Sequence, residues 1–116
     1  MKKAILLLFF LPCIAFGQTT AIPDTAFEQA LIDLGYDDVI DGSVPTSNID
    51  TLAFLYISGN NISDLTGIED FVALAELSCS FNLLDTIDVS QNTSLIYLDC
   101  SYNSLVDLDI SENTGL

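Results

Sequence analysis

From Leu74 to Leu116, apolar and polar positions recur in a fixed order. Leu74, Leu95 and Leu116 are spaced by 21 residues, as are Leu77 and Leu98, Cys79 and Cys100, Asn82 and Asn103, and Leu84 and Leu105. A second phrase keeps the same step: Ile87 with Leu108, Val89 with Ile110, Ser90 with Ser111, Asn92 with Asn113 and Thr93 with Thr114. One repeat therefore carries two phrases of similar shape, L-x-C-x-x-N and (I/L)-D-(V/I)-S-x-N. Upstream, Leu55, Ile57, Asn60 and Ile62 match Leu77, Cys79, Asn82 and Leu84 at a step of 22. A period of this size predicts a solenoid, in which each coil is too small to bury its own apolar face and stacking supplies the core.

The alternation within L-x-C predicts a strand with Leu77 and Cys79 inward and Glu76, Ser78 and Ser80 outward. The next coil should set Leu98 and Cys100 beside them, about 4.8 Å away. Each asparagine stands where the chain leaves the strand, placed to bond backbone groups that the bend leaves unpaired. The doubled phrase then gives each coil two faces. Parallel strands are expected on the first, and short strands or extended segments on the second. Cys79 and Cys100 read as small core residues carrying free thiols. A disulfide is the alternative, but parallel side chains in one packed layer suit its geometry poorly.

Residues 18–48 fall outside the period and change pattern. In PDTAFEQALIDLG, residues Phe27, Ala30, Leu31 and Leu34 share one helical face. Thr25 and Glu28 have capping-box spacing, Asp24 is a second candidate cap, and Gly35 is a suitable stop. A helix here would cover the raw apolar end of the first coil.

These residues carry a resemblance. The pattern L-x-x-L-x-(L/C/I)-x-x-N-x-L over residues 49–116 resembles the leucine-rich repeat family. The doubled phrase is similar to the nested 21-residue class of bacterial secreted proteins. IPDTAFEQALIDLGYDD, running into ISGNNISDLTGIEDF, resembles the opening of large Bacteroidetes-type surface proteins. The fold implied is a leucine-rich repeat solenoid, mostly β with parallel strands and an N-terminal α-helical cap. Its coils would be incomplete at Leu116 and continue in a longer chain.

The first 17 residues, MKKAILLLFFLPCIAFG, have the three parts of a secretory signal peptide: Lys2 and Lys3, an apolar run from Ala4, and small residues Ala15 and Gly17 before the cut. The run is short for a membrane span. A secreted or cell-surface protein is expected, in three segments: 1–17 signal peptide, 18–48 cap, 49–116 solenoid. Cys13 would leave with the signal, and lipoprotein processing there is disfavoured by Pro12.

Charge then narrows function. The chain has two basic residues, seventeen acidic ones and no histidine, for a net charge of −15. Both lysines lie in the signal, so residues 18–116 contain no Lys, Arg or His and stand near −17. Nucleic acid is disfavoured as a partner, because binding it needs cationic groups to displace counterions. Catalysis is poorly supplied as well: no imidazole can act as base, and no cation can settle an anionic transition state or activate a thiol. Paired carboxylates such as Asp88 and Asp109, flanked by Asp85, Asp107 and Glu112, read as solvated surface. Asp37, Asp38, Asp41 and Gly42 only partly follow a calcium loop, since Val39 takes a ligand position and no glutamate closes it. Calcium is allowed by this chemistry without being demanded, and no metal or other cofactor is assigned.

Binding is better supplied. The outward columns of the first face are Phe54–Glu76–Tyr97, Tyr56–Ser78–Asp99 and Ser58–Ser80–Ser101, with Phe81 and Tyr102 just before the corner asparagines. Aromatic rings rimmed by acids and hydroxyls suit a protein or carbohydrate ligand. The candidate face is Phe54, Tyr56, Glu76, Phe81, Tyr97, Asp99 and Tyr102. The alternatives are an acidic spacer in a larger surface protein, and a polysaccharide-active enzyme built on a parallel β-helix.

Overall fold

The structure is a computed structural model that describes residues 17–116. The expected signal segment therefore lies outside the described residues, except for Gly17. No helix among the described residues is long and apolar enough to cross a membrane.

The 21-residue period appears as stacked coils. Strands β3 (Phe54–Tyr56), β4 (Glu76–Ser78) and β5 (Tyr97–Asp99) form a parallel sheet in that order. Its register is the one the spacing predicts: Leu55 beside Leu77 beside Leu98, with Phe54, Glu76 and Tyr97 in one outer column and Tyr56, Ser78 and Asp99 in the other. Leu55, Leu77, Ile57 and Cys79 are fully buried, and Leu98 and Cys100 pack half-buried against them. Cys79 and Cys100 are free thiols. Burial, then the neighbouring Cys100 and Asp99, pushes the Cys79 thiol up to about 12, so it stays protonated and unreactive.

The corner asparagines join one coil to the next. Asn82 Oδ1 accepts from Asn60 N–H and Ile62 N–H, each at 3.0 Å, and its Nδ2 donates to Ile57 O, Cys79 O and Ser80 O. Asn103 repeats this one coil on, donating to Cys79 O, Cys100 O and Ser101 O and accepting from Leu84 N–H. On the second face Asn92 donates to Ile68 O and Phe71 O, and Asn113 to Val89 O and Asn92 O.

Of the short strands or extended segments expected on the second face, no strand forms there among the described residues. Instead of strands, its first coil holds a one-turn 3-10 helix, Ile68–Asp70. Later coils hold tight turns, with Asn92 N–H donating to Val89 O and Asn113 N–H to Ile110 O. The cause is local. In Asp88–Val89–Ser90 and Asp109–Ile110–Ser111, the aspartate Oδ1 accepts from the serine N–H and hydroxyl. Such Asx turns bend the backbone away from a sheet ladder. Ser80 also departs: it is buried, and its hydroxyl donates to Ser58 Oγ at 2.9 Å.

At the N-terminal end, β1 (Thr19–Ala21) pairs antiparallel with β2 (Ser43–Pro45), and α1 (Thr25–Asp33) lies between them in sequence. Phe27, Ala30 and Leu31 of α1 enter the common core, and Phe27 stacks on Phe71 of the first coil with ring centroids 6.1 Å apart. Leu34, expected on the buried face, is the C-cap of the helix and is exposed. The helix cap is Asp24, whose Oδ1 accepts from Ala26 N–H and Phe27 N–H. Its other oxygen accepts from Ser63 N–H and Asp64 N–H of the first coil, at 2.8 and 2.9 Å. The predicted Thr25–Glu28 box does not form. Glu28 is fully buried and turns instead to Asp41 N–H and Gly42 N–H. Gly67, at φ 109°, lets the first coil approach β1 closely: a Cβ there would collide with Ile22 and come within 2.6 Å of Ala21 O.

Replacing Asn82 with alanine would leave buried backbone groups in two coils without partners. Urea unfolding should show a loss of about 2–4 kcal/mol. Asn60→Ala should cost much less, because the Asn60 side chain bonds only Ser58 O. Equal losses in the two variants would contradict the inter-coil role of Asn82.

Candidate functional site

The strand face brings most of the predicted residues together. Phe54, Tyr56 and Tyr97 project into solvent, each about half exposed, around the half-buried Glu76. The Tyr56 hydroxyl donates to Glu76 Oε2 at 2.6 Å, across the diagonal of the β3–β4 pair. Hydrogen bonding to that carboxylate, then burial and its charge, raises the Tyr56 phenol above its usual value. Tyr56, Glu76, Ser78 and Tyr97 line a cavity of about 250 Å³. Asp99 closes the neighbouring column. Its Oδ1 accepts from Ser101 Oγ and Ser101 N–H, which holds its carboxyl below the usual range.

Phe81 and Tyr102 stand apart from this cavity, at the turn after the strands. Their rings stack almost parallel, 7° apart with centroids at 4.2 Å, and both remain well exposed. Their backbones are left-handed, at φ 55° and 54°, while Gly59 holds the matching place in the first coil at φ 72°. A bulky residue in that conformation carries a strain that glycine avoids. The signal was readable: Gly59, Phe81 and Tyr102 are aligned by the same steps of 22 and 21 as the asparagines.

A second cluster lies at the helix end of the molecule, where sequence reasoning grouped Asp37 with Asp41 but missed Glu28. Carboxylate oxygens of Glu28, Asp37 and Asp41 lie within 4.8 Å of one another. Asp38, grouped with them in the sequence, instead donates its N–H to Asp37 Oδ1. Glu28 already accepts a backbone N–H on each oxygen, and Asp41 Oδ1 accepts from Ser43 N–H. Asp37 Oδ2 is buried and meets no hydrogen-bond donor. Burial, then the nearby carboxylate of Glu28 and the charge of Asp41, raises Asp37 to about 6. Backbone donors thus hold Glu28 and Asp41 in place beside Asp37. A larger groove of about 410 Å³ follows the second-face turns, bordered by Asp64, Glu69 and Asp88. Asp64 and Asp88 both accept from hydroxyls of their own turns there.

Known proteins share this fold, although no family model matches the sequence. Internalin J of Listeria monocytogenes is 39% identical over 80 residues, 66% of this chain and 9% of that protein. The solved functional domain of InlJ from Listeria monocytogenes, described as including a cysteine ladder, superposes with a TM-score of 0.74 at 34% identity, over 86% of this chain and 23% of that one. The fold is a leucine-rich repeat fold. An internalin InlF from the same species agrees at this level, with a TM-score of 0.76 at 19% identity, over 83% of this chain and 29% of that one. The chain thus spans about a tenth of the curated relative it matches.

The Asp37 cluster generates a pH dependence of definite sign. A carboxyl with folded pKa raised from 3.8 to about 6 stabilises the fold most fully below its unfolded value, and loses that contribution as pH rises through about 6. Asp88, Asp99 and Asp109 act oppositely, since their lowered values favour the fold above the unfolded pKa and fail on stronger acidification. Thermal melts should therefore fall from about pH 4 to pH 7, and Asp37→Asn should flatten that slope. An unchanged slope in the variant would show that Asp37 is not its source.

Proposed function

We propose that the protein is a binding module exported to the cell surface or medium, whose parallel-strand face contacts a protein ligand. Phe54, Tyr56, Glu76, Tyr97 and Asp99 form the centre of this face, with Phe81 and Tyr102 at its edge. The observation that carries the reading is the retention of five exposed aromatic rings on one face of a small, highly acidic domain. Two of the rings sit on backbone that glycine would occupy without strain. Large rigid rings supply contact area at low entropic cost and are typical anchors of protein interfaces. Similarity to internalin leucine-rich repeat domains supports the same class of function.

Residues 18–48 act as a cap on the first coil, supported by the burial of Phe27 and Leu31 and the double bonding of Asp24. The doubled phrase of residues 74–116 supports the nested 21-residue class, and the stretches 22–38 and 57–71 support a likeness to Bacteroidetes-type surface proteins. Glycan is a second ligand class, since exposed tyrosines also stack on sugars. An enzymatic role is disfavoured by the lack of Lys, Arg and His beyond the first 17 residues.

The test is retention on candidate host or bacterial cells. A variant with Tyr56, Tyr97 and Tyr102 changed to alanine should keep its circular dichroism spectrum and lose retention. Undiminished retention would transfer the function to another surface, or leave an acidic spacer as the better description.

A further inference from the structure

We propose that Tyr56, Glu76 and Tyr97 form a receptor for an arginine side chain of the protein ligand. This rests on the strand face being the binding face and names the chemistry it selects. Three observations lead to it. First, Glu76 lies in register between Phe54 and Tyr97 on neighbouring strands, and diagonal to Tyr56, so aromatic rings border its carboxylate within the sheet. Second, the Tyr56 hydroxyl engages Glu76 Oε2 and fixes the ring against the carboxylate, while no protein donor among the described residues engages Oε1. Third, the sequence has no Lys, Arg or His beyond Lys3, so no side chain of residues 17–116 can neutralise this carboxylate.

A cavity of about 250 Å³ with an acid beside tyrosine rings suits a planar cation. Guanidinium can stack on a tyrosine face while donating to a carboxylate in its own plane, whereas ammonium acts as a compact, strongly hydrated point charge. Asp99, held ionised in the adjacent column, extends the negative field along the same face. A neutral sugar stacked here would cover the Glu76 charge without compensating it. The same field would speed the approach of a basic partner surface at low salt.

The experiment uses acetyl-Gly-Arg-Gly-amide as probe, with tyrosine ring resonances followed by NMR. The peptide should shift Tyr56 and Tyr97, and its citrulline counterpart, with the same shape and no charge, should bind about tenfold more weakly. Glu76→Gln, which keeps an acceptor for Tyr56, should also weaken binding about tenfold. Asp85→Asn, an exposed carboxylate beyond the strand face, should change affinity by less than about twofold. Equal weakening by Glu76→Gln and Asp85→Asn would mean that only the overall acidic field is felt, and would overturn the receptor. So would ring shifts produced by a neutral oligosaccharide but not by the arginine peptide. On cells, loss of retention in the tyrosine variant but not in Glu76→Gln would remove the arginine receptor and keep the binding face. Full retention in both would remove both.

Discussion

The molecule depends on an asparagine side chain reaching from one coil into the coil before it. A primary amide carries donors on one atom and an acceptor on the other, so Asn82 can close both halves of a bend at once. It accepts two N–H groups from the first coil and donates to carbonyls of both coils. Without such a group, a chain turning sharply in a stack of apolar layers would leave buried backbone groups unpaired. Leucine columns supply the force that draws coils together, and the asparagines fix the register at which they meet.

A second constraint comes from charge. Carboxylates are ordinarily settled by cations, but no cationic side chain lies beyond Lys3 in this sequence. Their place is taken by N–H and hydroxyl donors. Asp24 gathers four N–H groups from the helix and the first coil, and Glu28 gathers two from the loop after the helix. Asp64, Asp88, Asp99 and Asp109 each take the N–H and hydroxyl of a Thr or Ser two residues on. The carboxylates that join elements thus do so without ion pairs. Glu76 is different. Its one protein donor among the described residues is a tyrosine hydroxyl, and its aromatic surroundings face outward.

The strand face was legible in the sequence because side-chain period and coil period agree there. Leu77 and Leu98 meet, Glu76 stands between Phe54 and Tyr97, and the cysteines remain thiols. The second face was less legible. Its (I/L)-D-(V/I)-S phrase alternates like a strand, yet aspartate two residues before serine is also a turn signal, and the local hydrogen bonds prevail. Ser80 was placed outward by alternation, which fails where the strand has already ended and the chain is curving. At the helix, Thr25 and Glu28 had capping-box spacing, but Asp24 can cap the helix and hold the first coil with one carboxylate. A purely local pattern could not reveal that second partner, nor the meeting of Glu28 with the loop at 41–42.

The most direct measurement of the central claim is side-chain amide hydrogen exchange by NMR. If asparagines lock the coils, the Nδ2 protons of Asn82, Asn92 and Asn113 should exchange slowly, at rates near those of the buried backbone amides of Leu77 and Cys79. Asn61, which is exposed, should exchange as fast as a free amide, and Asn60, whose Nδ2 donates only to Ser58 O at the surface, much faster than Asn82. Rapid exchange at Asn82 and Asn92 in the folded protein would contradict the account, because it would place those groups in water instead of between coils.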